Sequence, residues 1–117
     1  KRFLKLNVSG AFHSPFMNEP SSKFSEYLKQ INFNNPSFPV ISNYEPSLCS
    51  DPNELKIRLE KQMCNGVRWR ETMDLMAKDS DLHIVEIGPS NVLSGLGKRH
   101  LKDVKISQVS SSDQISY

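Results

Sequence analysis

The sequence contains no long apolar run, no large excess of charge of either sign and no cysteine motif. The longest apolar stretches are a few residues, whereas a membrane-spanning helix needs about 20. Lys and Arg number 15 against 13 Asp and Glu, for a formal net charge of +2. The basic residues are scattered, which argues against a nucleic-acid-binding surface. We therefore expect neither a membrane nor a nucleic-acid partner.

The residues that bind metals or act as nucleophiles also lack the required spacing. Cys49 and Cys64 are too far apart for a C-x-x-C motif, which favours a pair of reduced thiols. The three histidines show no H-x-H or H-x-x-x-H spacing, so we expect no metal site. We also expect no cofactor. No G-x-S-x-G motif occurs: Ser94 precedes a glycine, but Val92 stands where the first glycine should be.

Apolar runs that predict strands alternate with segments of helical periodicity. The predicted strands are residues 3–9, 38–42, 82–87 and 104–106. The predicted helices carry their apolar side chains within Phe24–Ile31, Leu55–Met63, Trp69–Ala77 and Val92–Leu96. This alternation predicts an α/β fold with a parallel or mixed sheet flanked by helices. In that sheet the strand 82–87 should be central, with Ile84, Val85 and Ile87 buried.

One helix has a strong start signal. Asp51 is suited to cap it, Pro52 fits its first position, and Glu54 completes a capping-box pattern. Residues 43–50 before it are predicted to be a loop. Weaker starts are predicted for two other helices, with Pro20 at the first helical position and with Ser90 or Asn91 as the cap.

His13 is the histidine best placed for chemistry, because it lies in a loop between a predicted strand and a predicted helix. A histidine ordinarily titrates near neutral pH, so it can accept and return a proton within one reaction cycle. From this pattern alone, however, a structural histidine bonded to the backbone is the better interpretation.

Five segments taken together resemble the acyltransferase family, and within it the malonyl-CoA:acyl carrier protein transacylases of fatty acid synthesis. In order they are Gly10-Ala11-Phe12-His13-Ser14-Pro15-Phe16-Met17, Ile31-Asn32-Phe33-Asn34-Asn35-Pro36, Pro39-Val40-Ile41-Ser42-Asn43, Leu59-Glu60-Lys61-Gln62-Met63 with Val67-Arg68-Trp69, and Glu86-Ile87-Gly88-Pro89-Ser90-Asn91-Val92-Leu93-Ser94-Gly95-Leu96. Each is moderately specific, and five in the family's order are a strong resemblance that covers the chain to about Ile106.

The resemblance implies a ping-pong transfer of malonyl from malonyl-CoA, through an acyl-serine, to the phosphopantetheine thiol of acyl carrier protein. His13 matches the general base, and Gln62 matches the residue whose main-chain carbonyl orients it. The serine, the arginine that binds the malonyl carboxylate and an oxyanion-hole glutamine should precede Lys1. The chain would then be the C-terminal portion of a hydrolase-like large subdomain over 1–108, with a polar tail over 109–117, and would be inactive by itself.

Phe12 matches a position where polyketide acyltransferases with phenylalanine tend to prefer malonyl and those with serine methylmalonyl. The resemblance further implies an intact protein that is monomeric and cytoplasmic in bacteria, or located in plastids. Two alternatives stay open. One is the acyltransferase domain of a polyketide synthase, and the other is a non-catalytic remnant that binds a carrier protein.

Overall fold

A computed structural model describes residues 10–115 of the chain. These residues form two compact units, one ending at Arg68 and the other beginning at Trp69. The strand predicted over residues 3–9 lies outside the described residues.

The first unit begins with a 3-10 turn, Pro15–Met17, that leads into helix α1, Asn18–Lys29. Pro20 was predicted to be the first residue of this helix, but it is the third. The first turn tolerates a proline there because its N–H groups have no partner within the helix. Leu28 is the residue of α1 that is buried.

A short antiparallel hairpin follows, in which β1, Val40–Ile41, pairs with β2, Leu48–Cys49. One prediction was wrong here: the segment predicted as a loop over residues 43–50 contains β2. β1 covers only the last part of the strand predicted over residues 38–42, and both of its residues are half-buried. The hairpin has only two residues in each strand, and a side chain of the next helix binds the loop between them.

That helix is α2, Pro52–Gln62. Its Arg58 is 7% exposed, and its guanidinium donates hydrogen bonds to the main-chain oxygens of Ser47, at 2.9 Å, and Glu45, at 3.4 Å. Arg58 also pairs with Glu54 at 2.9 Å. Carbonyl and carboxylate acceptors compensate the guanidinium for its loss of water, so this buried cation fastens the hairpin to α2.

The predicted start of α2 is confirmed. Asp51 is the N-cap with extended backbone, its side chain accepts a hydrogen bond from the Glu54 N–H at 2.7 Å, and Pro52 is the first helical residue. The Glu54 carboxylate does not return to the cap, because it pairs with Arg58 one turn later.

The second unit alternates helices and strands. Its elements are α3, Trp69–Met76; β3, His83–Ile87; α4, Val92–His100; and β4, Lys105–Val109. The strands β3 and β4 are parallel, with His83 opposite Lys105 and Ile87 opposite Val109. Met73 of α3 is 2% exposed and is a core residue of this unit. The α/β class is therefore as predicted. β4 extends one residue past the predicted boundary at 108, and the division of the chain there stays a prediction.

The predicted burial of β3 was wrong for two of its three apolar residues. Ile84 is half-buried, but Val85 is 43% exposed and Ile87 is 84% exposed. Successive side chains of a strand point to opposite faces. Within residues 10–115, β3 pairs with β4 alone, and α4 covers the face that carries Ile84 and Glu86. The face of Val85 and Ile87 therefore stays open in the described part of the chain.

The predicted cap position of α4 is confirmed at Asn91, but the capping hydrogen bond comes from another residue. Asn91 is the N-cap residue by position, but its side chain makes no capping hydrogen bond. The carboxylate of Glu86, from β3, accepts hydrogen bonds from the N–H groups of Ser94 at 2.7 Å and Leu93 at 3.2 Å. A carboxylate at a helix N-terminus also interacts favourably with the helix dipole. Glu86 of β3 therefore caps the N-terminus of α4, which was expected of Ser90 or Asn91.

Candidate active site

His13 occupies an uncommon backbone conformation at the start of the first unit. Its φ is 64°, in the left-handed region that non-glycine residues rarely adopt. Its N–H donates to the main-chain oxygen of Met63 at 2.9 Å, and next to it the Ser14 hydroxyl donates to the Ala11 oxygen at 2.6 Å. These bonds hold the turn in a backbone conformation that costs energy. Residues in such conformations are found more often at functional sites.

The His13 ring meets the residue that the resemblance assigned to it. Nδ1 lies 3.0 Å from the main-chain oxygen of Gln62, across a sequence separation of 49 residues. The predicted proximity is confirmed, while the catalytic roles of the two residues stay predictions. If Nδ1 carries the ring proton and donates to this oxygen, Nε2 keeps its lone pair and is available to accept a proton.

The Gln62 oxygen is available because Gln62 ends α2. The last four carbonyls of a helix have no partner within it. His13 binds two consecutive carbonyls at this end, those of Gln62 and Met63. A third is bound by the Asn65 side chain, which donates to the Lys61 oxygen at 2.7 Å. The histidine and the helix end thus satisfy each other's hydrogen-bonding groups. No pattern in the sequence indicates the contact of His13 with Met63.

Phe12, the predicted selectivity residue, is 60% exposed. A Cβ placed on Gly10 would lie 3.0 Å from the Phe12 ring, so the glycine leaves room for the ring to pack over the backbone two residues before it. Gly10 was not predicted to matter beyond its place in the motif. The described structure gives it a steric role beside Phe12.

An open cavity of about 430 Å³ lies next to Gln62 in the same unit. Apolar side chains of β1 and α2 form most of its wall, and Arg58 and Asn43 add polar groups; the other lining residues are Phe33, Val40, Ile41, Ser42, Leu55 and Leu59. An apolar cleft with few polar groups is typical of a small-molecule site. Gln62 lines this cleft, whereas His13 does not.

Two kinds of feature are absent from residues 10–115. No group of three or more His, Cys, Asp or Glu side chains is arranged to hold a metal ion. No helix in this range has both the length and the apolar character needed to cross a membrane.

The sequence of the chain is similar to those of known proteins. The chain is 40% identical to the malonyl CoA-acyl carrier protein transacylase of Synechocystis over 116 residues, which are 99% of this chain and 40% of that protein. It is 32% identical to the transacylase of the same name from Staphylococcus aureus, over 98% of this chain and 37% of the other. The chain is homologous to part of the malonyl-CoA–acyl carrier protein transacylases. No family model matches it.

Solved transacylase structures carry the same fold. The Synechocystis malonyl-CoA:ACP transacylase superposes with a TM-score of 0.86 at 42% identity, over 92% of this chain and 37% of that one. The acyl carrier protein S-malonyltransferase of Vibrio cholerae gives a TM-score of 0.88 at 33% identity, over 97% and 37%. The chain therefore spans about two fifths of the length of the transacylases that it matches, and its α/β architecture is that of their corresponding part.

Proposed function

We propose that the protein containing this chain transfers malonyl from malonyl-CoA to the phosphopantetheine thiol of acyl carrier protein, with His13 as general base. The observation that carries the proposal is the 3.0 Å contact between His13 Nδ1 and the Gln62 main-chain oxygen, found in a homologue of malonyl transacylases. This contact orients an imidazole as acyl transfer requires, with one nitrogen held and the other free.

The proposed reaction has two balanced halves. A serine outside this chain gives its hydroxyl proton to His13 Nε2 as its oxygen attacks the thioester carbonyl of malonyl-CoA. The carbon–sulfur bond then breaks, and His13 gives that proton to the departing coenzyme A sulfur. In the second half the carrier-protein thiol gives its proton to His13 and attacks the ester, and the serine oxygen leaves with that proton.

The end of α2 suits His13 for this cycle. A helix C-terminus carries about half a negative charge, which stabilises the positive charge that the imidazole acquires when it takes a proton. A main-chain carbonyl provides orientation without the full charge of the aspartate found in other triads. The left-handed backbone of His13 brings both its N–H and its ring onto this one helix end.

The test is malonyl transfer by the full-length protein and by two histidine variants. His13→Ala should lower kcat by about 10²- to 10⁴-fold, the usual contribution of a general base. His83→Ala is the matched control, because His83 lies on the exposed side of β3 and contacts Ser107, so its loss should leave the rate near that of the wild type. Equal rates for the wild type and His13→Ala would refute the proposed role.

A second candidate is malonyl transfer in polyketide synthesis. The chain is 39% identical to the polyketide biosynthesis malonyl CoA-acyl carrier protein transacylase of Bacillus subtilis, over 87% of this chain and 35% of that protein. It also resembles, with a TM-score of 0.84 at 30% identity over 92% of this chain and 35% of that one, a malonyl-transacylase solved with a type II polyketide acyl carrier protein. Comparing kcat/KM for a fatty-acid and a polyketide carrier protein separates the two. Binding of a carrier protein without any transfer would instead support a non-catalytic remnant.

A further inference from the structure

Gln62 presents two different groups to the same nitrogen of His13. Its main-chain oxygen lies 3.0 Å from Nδ1, and its side-chain Nε2 lies 3.1 Å from Nδ1. The oxygen accepts hydrogen bonds only, whereas the amide NH2 donates them only. These two partners therefore make opposite demands on Nδ1.

Only one of the two contacts is a hydrogen bond at any moment. If Nδ1 carries the ring proton, it donates to the carbonyl, and the amide NH2 then faces another donor. If Nδ1 carries the lone pair, it accepts from the amide, and the ring proton sits on Nε2. In that second tautomer His13 has no lone pair on Nε2 with which to take a proton from a nucleophile.

We propose that the side-chain amide of Gln62 controls the tautomer of His13. With its Nε2 turned toward Nδ1, the amide holds His13 in the tautomer that cannot act as a base at Nε2. Rotation of the terminal torsion by 180° exchanges Nε2 for Oε1, and the ring proton on Nδ1 then has two oxygen acceptors. Gln62 is thus a positioning residue through its side chain as well as its main chain.

Two variants separate the side chain from the main chain. Gln62→Leu keeps the main-chain oxygen and removes the amide donor. Gln62→Glu replaces the amide with an acceptor-only carboxylate at neutral pH. Both variants should hold His13 with its proton on Nδ1, whereas the wild type should divide its population between the two tautomers.

The first measurement is the ¹⁵N NMR spectrum of the full-length protein labelled at histidine, with signals of His13 identified by their loss in His13→Ala. Nδ1 and Nε2 shifts distinguish a protonated from an unprotonated ring nitrogen. A higher Nδ1–H fraction in both Gln62 variants than in the wild type is the expected result. The same tautomer in the wild type and in Gln62→Leu would overturn the proposal.

The second measurement is the pH dependence of kcat/KM for malonyl transfer, and this arm rests on the proposed function. Gln62→Glu should move the limb on which activity is lost at low pH upward by about one to three pH units, because the carboxylate stabilises the protonated imidazole. Gln62→Leu adds no charge, so it should leave that limb in place. It should keep kcat at the wild-type level or raise it, because more of His13 is then in the tautomer that can act as a base.

The two arms fail independently. A tautomer change in the Gln62 variants without malonyl transfer by the wild type would refute the proposed function and leave the control of the tautomer standing. Malonyl transfer with identical tautomers and identical pH profiles in all three proteins would refute the tautomer control alone.

Discussion

The carboxylate of Glu86 lies 2.7 Å from the backbone nitrogen of Ser94 and thereby links β3 to the first turn of α4. The Ser94 side chain beside the carboxylate contributes most to lowering the pKa of Glu86. The N–H groups of Ser94 and Leu93 and the Ser90 hydroxyl lower the pKa further, against the opposing effect of burial. The folded state thus stabilises the charged form of the Glu86 carboxylate relative to the protonated form.

Replacing Glu86 should destabilise the start of α4. Glu86→Ala removes the acceptors of two helix N–H groups, and Glu86→Gln keeps one acceptor oxygen but loses the charge. The midpoint of urea unfolding should fall in the order wild type, Gln, Ala, and the amides of Leu93 and Ser94 should exchange faster with solvent. Glu19→Gln, at a carboxylate 80% exposed, is the control and should change neither.

The contribution of Glu86 should depend on pH with a defined sign. A folded-state pKa below the ordinary value of 4.5 means that its stabilisation is complete above that value and is lost as the pH falls through the lower, folded-state pKa. The difference in unfolding midpoint between the wild type and Glu86→Gln should therefore be constant near neutrality and shrink below about pH 4.5. A difference that grows as the solution becomes more acidic would contradict the assigned cap.

Two glycines of α4 should respond in opposite ways to alanine. A Cβ on Gly95 would meet nothing within 4 Å, whereas a Cβ on Gly97 would lie 3.0 Å from Cδ1 of Ile106. Gly95→Ala should stabilise the protein by about 1 kcal/mol through helix propensity. Gly97→Ala should have the same gain in helix propensity, but crowding against Ile106 should lower the free energy of unfolding by about 1 to 3 kcal/mol, because α4 packs tightly on β4 there. Thermal unfolding of the two single variants measures the difference.

A double variant tests the cause of that difference. Ile106→Val removes Cδ1 and costs about 0.5 to 1.5 kcal/mol by itself. In the Ile106→Val background, Gly97→Ala should recover most of the gain seen for Gly95→Ala. An unchanged penalty would show that Ile106 is not the obstacle.

Phe12 should favour malonyl over methylmalonyl if its ring fills the space of an α-methyl group. Phe12→Ser should reduce the ratio of kcat/KM for malonyl-CoA to that for methylmalonyl-CoA by at least about tenfold, the lower end for one methyl group. Gly10→Ala, which crowds the ring, should shift the ratio less. Phe16→Ser, at a residue 86% exposed, is the control; an equal change there would show an unspecific effect.

The parts of the fold that could be predicted are those whose signals are local. Asp51, Pro52 and Glu54 announce the start of α2 within four residues, and the structure has the cap bond that they predict. The cap of α4 could not be predicted in the same way, because Glu86 lies eight positions before Ser94 and reaches it from a strand.

The burial of a strand depends on what covers it, which its own residues do not encode. β3 is apolar enough for burial on both faces, yet Val85 and Ile87 are exposed in the described part of the chain. The approach of His13 to Gln62 was likewise predicted from the family resemblance alone. Nothing in a separation of 49 residues indicates contact, and the left-handed backbone of His13 has no local signal.

The bonds between His13 and the end of α2 close a long loop, and this has a consequence for how the site forms. Joining residues 49 apart costs chain entropy that no local interaction returns, so the site forms only when the fold around α1 and the hairpin has closed. Local opening at Met63 or Gln62 would release the ring and the His13 amide together. Protection of that one amide against hydrogen exchange therefore reports the fraction of molecules in which the histidine is seated on the helix end.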